Sequence, residues 1–447
     1  MNAFKAYDIR GVWGEELTTE IVYQIGYFFP QIIPCRQVLI GRDVRLSSDE
    51  MFIALSNGLR DAGIDVLDAG LSTTPMIYWG TGKFNLDASI MITASHNEAK
   101  YNGLKFSGAG VEPIGYDNGL NKIEELIESE TEIVKKIRGK LDFFEVSKYY
   151  LKFLEGYKSD FSELNIAIDC SNGMSSLFVH DLFGSDVHYL NDELDGNFPA
   201  HEPNPLLPEN QVQIKDAVLV NKCNAGLIFD GDADRVMFID EKGQFVSPDL
   251  IIALLGHYFF EERKEQGMVV QDIRTSKAVA EYLKQFNAEV AIWKVGRTFG
   301  ATKLKELDGI YGGELAGHYY FKDFYYSDSG LLAALLVLRV LLRFAKQETT
   351  FSELIEQISS YANTGEVNFR IEQKQEAMDA VKNYFMEYEP PLNFLDVDGY
   401  RLDFEDWWFN IRPSNTEPYL RFLAEAKTKE LLDVKTKIIF DIIGKYS

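Results

Sequence analysis

The sequence predicts an α/β protein: three related α/β domains with mixed sheets, followed by a smaller C-terminal α+β domain. Three observations carry that reading. The chain has 447 residues with 46% hydrophobic and 13% aromatic side chains, enough for several packed cores. A strand–helix–strand rhythm recurs three times, and each first strand closes on an aspartate. After about residue 362 the rhythm gives way to strands mixed with two helices.

The first unit opens with residues 38–43 (VLIGRD), passes through an amphipathic helix to Leu59, and returns as a strand near 64–67. A buried strand at 88–92 (ASIMI) follows. The second unit begins at 165–169 (NIAID), leads through Ser171, Asn172 and Gly173 into a helix, and closes at 187–190. The third begins at 268–272 (MVVQD), with a helix near 276–286 and a strand at 289–293. The three units resemble one another in pattern and not in letters. Residues 330–345 are apolar but interrupted by Arg339 and Arg343, and are shorter than the ~20 residues a bilayer span needs. They read as a core helix capped by Asp328 or Ser329. The last part predicts strands at 367–371, 399–404, 407–411 and 419–424, helices near 375–385 and 429–443, and a loop at 389–391. The expected domains are 1–140, 141–246, 247–362 and 363–447.

A formal net charge of −24 argues against nucleic-acid or anionic-membrane partners. The N-terminal MNAFKAYDIRG lacks the apolar core of a secretory signal, and Cys35, Cys170 and Cys223 form no paired motif. Reduced thiols in the cytoplasm are expected.

Four loops carry chemistry. Asp230, Asp232 and Asp234 alternate with Gly231 and Ala233, and in an extended segment that spacing turns all three carboxylates to one side. Like charges so placed suit a hard divalent cation with oxygen ligands. A helix–loop–helix calcium site would also end on an acid at position twelve, where Glu241 falls. It requires Gly at position six, where this chain has Arg235, and its flanks should be helices where residues 226–229 and 236–239 read as strands. In the second loop, Ser95 and His96 follow the strand 88–92, a place where a nucleophile is displayed, and Lys105 returns a cation nearby. In the third, Gly312, Gly313 and Gly317 surround Glu314 and His318, an acceptor and a titratable group open to a ligand. In the fourth, Arg412, Ser414, Asn415, Thr416 and Arg421 assemble donors suited to a phosphate between two prolines. An acidic chain that binds an anion must gather its cations, and Arg10, Lys105, Arg235, Arg412 and Arg421 can supply them.

These segments, 4–11 (FKAYDIRG), 93–105 (TASHNEAKYNGLK), 230–235 (DGDADR), 313–318 (GELAGH) and 412–421 (RPSNTEPYLR), resemble the α-D-phosphohexomutase superfamily, and within it the phosphomannomutase/phosphoglucomutase group. They stand in the family's order and span nearly the whole chain. The resemblance implies four domains around a central cleft, each giving one loop. It implies a mutase that interconverts hexose 1-phosphate and hexose 6-phosphate, of mannose or glucose, through a phosphoserine and a bound hexose 1,6-bisphosphate, which also serves as activator. Ser95 would carry the phosphoryl group with His96 beside it, and Asp230, Asp232, Asp234 and the seryl phosphate would hold one Mg²⁺. Arg235 would lie beside the metal, Lys105 and His318 would move protons, and Glu314 would read sugar hydroxyls. Arg412, Ser414, Asn415, Thr416 and Arg421 would hold the non-reacting phosphate, with Tyr7 and Arg10 lining the cleft. A monomer or homodimer acting on a small phosphosugar, with no nucleic-acid or membrane partner, is implied.

The chain departs from the family in three places. Leu315 and Ala316 replace a common Met-Ser, removing one hydroxyl contact. Arg297 stands where related mutases often have His and offers an unswitchable cation to the phosphate. Ala233 takes the place of a common Gly, a change expected to be negligible. The rivals are a phosphoglucosamine mutase, whose loops tend to read Gln-Ser and Ser-Gly-Thr, a phosphoserine-using metal-dependent sugar phosphatase, and a non-catalytic sugar-phosphate sensor, which would be expected to lack Ser95 or a metal ligand.

Overall fold

The protein is described by a computed structural model, which covers residues 1–359, 361–414 and 419–446. Its first three sheets share one topology. In the first, Asp65–Leu71, Gln37–Arg42 and Ala88–Ile92 run parallel in that order, and Tyr101–Gly108 turns back antiparallel on Ala88–Ile92. The second repeats this with His188–Leu190, Ile166–Asp169, Ala225–Phe229 and then antiparallel Val236–Asp240. The third does so with Glu289–Trp293, Met268–Asp272, Tyr311–Gly313 and then antiparallel Tyr319–Phe321. Fully buried strands such as Ala88–Ile92, Ala225–Phe229 and Val236–Asp240 carry near-continuous apolar runs because both faces are covered. The first sheet also takes Ile9–Val12 on one edge and Leu141–Phe143, just beyond residue 140, on the other. The fourth sheet is antiparallel, built from Ala362–Asn363, Val367–Phe369, Asn393–Asp396, Tyr400–Asp403, Trp407–Pro413 and Leu420–Ala426.

The repeat extends to side chains. Asp43, Asp169 and Asp272 each accept a bond from the backbone N–H two residues on, at 3.1, 2.8 and 2.7 Å. Each therefore fixes the turn that leaves its strand. The second unit departs from the helix expected after Gly173: the chain makes a short 3-10 turn, Met174–Leu177, and then Val179–Phe183. The interruption lies at Phe178, whose φ of −132° and ψ of −19° are not helical, and the α-helix resumes only at Val179.

The core of the second and third domains is continuous, and the helix Gly330–Ala345 runs through it, buried without interruption from Gly330 to Leu338. A helix buried on nearly all sides explains the uniform apolar run. Its cap is Ser329, whose hydroxyl accepts from Leu332 N–H at 3.2 Å. Asp328 points elsewhere. Gly330 lets the helix start against the aspartate loop: a Cβ there would lie 2.8 Å from the Arg235 carbonyl oxygen. Among the described residues, no helix is long and apolar enough to cross a membrane.

Candidate active site

The shared topology places the functional loops. In each of the first three sheets the turn between the third strand and its antiparallel partner carries one of them: Ser95 in the first, Asp230 to Arg235 in the second, Glu314 to His318 in the third. The Arg412 loop likewise joins two antiparallel strands, Trp407–Pro413 and Leu420–Ala426.

Ser95 is buried and held in left-handed backbone at φ 50°. That conformation costs an L-residue about 1–2 kcal/mol. It is held by Thr93, whose hydroxyl accepts from Ser95 N–H at 2.8 Å, and above all by Arg45. The buried Arg45 guanidinium donates to the carbonyls of Ser95, Asn97, Glu98 and Tyr101 at 2.9, 2.6, 2.7 and 3.0 Å, and to Asp43 at 3.1 Å. The Ser95 hydroxyl donates to Asp230 Oδ2 at 2.8 Å and lies 3.4 Å from His96 Nδ1. Burial, then the cations Arg235 and Arg10, hold His96 well below the usual imidazole range, so the ring is neutral near pH 7.

The three aspartates converge as expected, but by another route. The segment is a turn, with Ala233 at φ 60°, and not an extended strand. The change from Gly to Ala at this position is therefore not negligible: a side chain is forced into backbone that favours glycine. The carboxylates of Asp230, Asp232 and Asp234 are fully buried and offer oxygens within 4.8 Å of one another. Burial and then the two neighbouring acids push Asp230 well up, while Asp234, against its own burial, is held well down by Lys105, His318 and Arg235. Lys105 Nζ donates to Asp232 and Asp234, each at 2.6 Å, and Thr74 donates to Asp232 at 2.5 Å. Asp232 Oδ1 and Asp234 Oδ1 are buried and have no hydrogen-bond partner among the described residues. Buried, unsatisfied, all-oxygen donors fit a hard divalent cation. Arg235 Nε stands 3.8 and 3.7 Å from Asp230 and Asp234.

Beside this cluster opens a cavity of about 200 Å³, walled by Tyr7, Arg10, Lys105, Arg235, Arg274, Arg297, Glu314, Ala316 and His318 among others. Its cations satisfy the requirement set by the acidic chain. Glu314 accepts from Tyr320 OH at 2.5 Å, and burial pushes its carboxyl up. His318 Nδ1 is 2.6 Å from Asp328, which also lies 3.9 Å from Arg297. Arg297 bonds the Tyr78 hydroxyl and stacks 4.1 Å over its ring. Arg10 donates to Asn97 at 2.7 Å and Asp8 at 2.5 Å. Arg412 is buried, 3.9 Å from Glu366 and 4.0 Å from Asp398, and Arg421 donates to Glu366 at 2.9 Å. Ser414 is placed by its N–H, which donates to the Tyr419 carbonyl at 2.8 Å. Asn415 and Thr416 lie outside the described residues.

Comparison with known proteins decides the family. The phosphoglucomutase/phosphomannomutase domains match in chain order: alpha/beta/alpha domain I over 1–134, domain II over 148–243, domain III over 247–361, and the C-terminal domain over 366–436. A phosphomannomutase of Escherichia coli strain K12 is 34% identical, covering 100% of this chain and 99% of the relative. The chain belongs to the phosphoglucomutase/phosphomannomutase family. A phosphomannomutase of Methanocaldococcus jannaschii is also 34% identical, over 99% of this chain and 97% of its own length. Among solved structures, a phosphoglucomutase/phosphomannomutase family protein of Burkholderia thailandensis superposes with a TM-score of 0.89 at 27% identity, covering 99% and 97% of the two chains. Membership makes the chain an enzyme, an isomerase acting by intramolecular phosphoryl transfer.

Within this family member, several residues at the site escaped sequence reasoning. Arg45 and Arg274 occupy matched places, two residues after Asp43 and Asp272, and Arg274 donates to Asp272 at 2.7 and 3.1 Å. The D-x-R letters repeat in the first and third units, 43–45 and 272–274, and were a usable signal there, whereas the second unit has Ser171 in the arginine's place. Thr74, Tyr78, Tyr320 and Asp328 carried no motif. Only their contacts with Asp232, Arg297, Glu314 and His318 mark them.

Proposed function

We propose that this enzyme is a phosphohexomutase interconverting hexose 1-phosphate and hexose 6-phosphate, of mannose or glucose, through a phosphorylated Ser95. The observation that carries the reading is the Ser95 hydroxyl bonded to Asp230, inside a three-carboxylate cluster that borders a cation-lined cavity. Phosphoryl transfer asks the protein for positioning and charge neutralisation more than for covalent chemistry. Asp230, Asp232, Asp234 and the seryl phosphate would hold one Mg²⁺. When bound, it would neutralise charge on the phosphoryl group that moves.

In the proposed cycle, the free hydroxyl of a hexose 1-phosphate attacks the phosphorus on Ser95. The P–Oγ bond breaks, leaving Ser95 Oγ and a hexose 1,6-bisphosphate. The bisphosphate turns end for end in the cavity. Ser95 Oγ then attacks the 1-phosphate, and the sugar O1 leaves with a proton. Lys105 and His318 face this path as proton donors and acceptors, and the Ser95 proton passes to Asp230, which already accepts from its hydroxyl, with neutral His96 beside them. Lys105 can act only after it leaves Asp232 and Asp234, which keep it charged. Glu314 reads two sugar hydroxyls, while Arg10, Arg297 and Arg412 receive the phosphates. The Ser414–Thr416 loop, including Asn415, and Arg421 belong to the same phosphate site in this reading. A cytoplasmic location, with unpaired cysteines, and a monomer or homodimer complete it.

The test is a panel of mannose, glucose and glucosamine 1-phosphates with a trace of hexose 1,6-bisphosphate, alongside mass spectrometry of the Ser95 peptide. Turnover of mannose or glucose with phosphate on Ser95 is expected. Better use of the amino sugar, or inorganic phosphate exceeding isomerised product, would defeat it.

A further inference from the structure

One short stretch of backbone is gripped by two domains. The Val295 carbonyl accepts from the Tyr7 hydroxyl at 3.2 Å, and the Val295 N–H donates to Asp398 Oδ2 at 3.0 Å. Tyr7 belongs to the first domain, Val295 to the third and Asp398 to the C-terminal one. The next residue, Gly296, has φ 126° and lies so close to Tyr7 that a Cβ would fall 2.8 Å from the ring. Arg297, which lines the cavity, follows and points its guanidinium onto Tyr78. Asp398 itself sits in a tight turn. Gly399, at φ 69°, presses against the strand that carries Arg412, where a Cβ would fall 2.4 Å from Arg412 Cβ. Asp398 therefore stands between Val295 and Arg412, 4.0 Å from the Arg412 guanidinium.

We infer that Asp398 is a positioning residue: it clasps the C-terminal domain, with Arg412, onto residues 295–297 of the third domain and so keeps the cavity closed during turnover. The inference rests on the phosphohexomutase reading for its consequence. A bisphosphate that must turn over without leaving needs the domains held together, and water kept out, while neither end is covalently attached. A backbone N–H bonded to a carboxylate suits a reversible clasp, since a charge-assisted bond is strong yet breaks cleanly when the domain swings away.

The test compares wild type with Asp398→Ala and Asp398→Asn. Asn keeps an acceptor for Val295. Amide exchange is followed at 293–299 in ligand-free protein, and kcat, KM and released inorganic phosphate are measured with mannose 1-phosphate and glucose 1-phosphate. In Asp398→Ala, exchange at Val295 and KM should each rise about tenfold, the scale of losing one hydrogen bond to a charged group. Phosphate release per product should climb while kcat falls much less. Asp398→Asn should restore protection and most of KM. Unchanged exchange in Asp398→Ala would overturn the clasp. Faster exchange with wild-type KM and phosphate release would overturn its positioning role. If the Ala protein does not fold, Asp398→Glu, which displaces the carboxylate by one methylene, takes its place with the same expectations. A wild type inactive on hexose phosphates would defeat the functional reading alone, since the exchange result decides the clasp without substrate.

Discussion

Replacing Lys105 with Met tests whether one buried ammonium stabilises the aspartate cluster when no metal is bound. Lys105 is 8% exposed and bonds both Asp232 and Asp234 at 2.6 Å. Each charge-assisted bond contributes about 1.5–3 kcal/mol, and removing one partner of a buried ion pair costs about 3–5 kcal/mol. Asp232 keeps the Thr74 hydroxyl at 2.5 Å, which argues for the middle of that range, about 4 kcal/mol. Unfolding entropy near 2.1 cal/mol/K per residue is about 0.9 kcal/mol/K over 447 residues, so melting as one unit should drop by about 4 °C in EDTA. Mg²⁺ should recover much of that loss, because a cation relieves the same repulsion. Differential scanning calorimetry at one pH, with EDTA and then with saturating Mg²⁺, measures both effects. A drop under about 1 °C in EDTA, or an equal Mg²⁺ response in the two proteins, would refute the reasoning.

Other outcomes follow from neighbouring contacts. Ser95→Ala should abolish isomerisation with melting nearly unchanged, and in wild type Mg²⁺ affinity should fall when Ser95 is dephosphorylated; near-normal turnover of the variant would remove Ser95 as carrier. Arg45→Lys cannot satisfy four carbonyls from one ammonium, so it should cost about 3 kcal/mol in urea unfolding and lower kcat about a hundredfold, and full activity would show the loop holds itself. Glu425, buried between the third and C-terminal domains where Ser276, Trp408 and Asn363 donate to it, is pushed up to about 7 by burial and then by Asp249. A raised carboxyl stabilises the fold fully below its ordinary value of 4.5 and loses that contribution as pH rises through about 7. The melting temperature should therefore fall over that window, and less steeply in Glu425→Gln; parallel curves would rule Glu425 out as the source.

Much of the fold was legible because its signals are local. Apolar runs ended where strands end, so residues 88–92 and 268–272 were placed to the residue. Ser95 was found because it follows such a strand, and Glu314 because glycines flank it. Local signals failed where the backbone takes rare conformations. The aspartate loop read as extended because alternation is the strand's own period, and only the left-handed Ala233 turns it. The helix expected after Gly173 forms in two short pieces because Phe178, at φ −132°, leaves the helical region between them.

Composition and spacing determined which chemistry was available: three acids for a cation, a serine beside a histidine, and arginines for phosphates in a chain of net charge −24. Only the tertiary structure decided who faces whom. Ser95 meets Asp230 across 135 residues of chain, and the Lys105 ammonium rather than the Arg235 guanidinium bonds the aspartates. Hydrogen-bond period and side-chain alternation act over a few residues, whereas these meetings depend on how three like sheets pack their equivalent turns toward one cavity. That packing is set by a core shared between domains, which no single segment encodes.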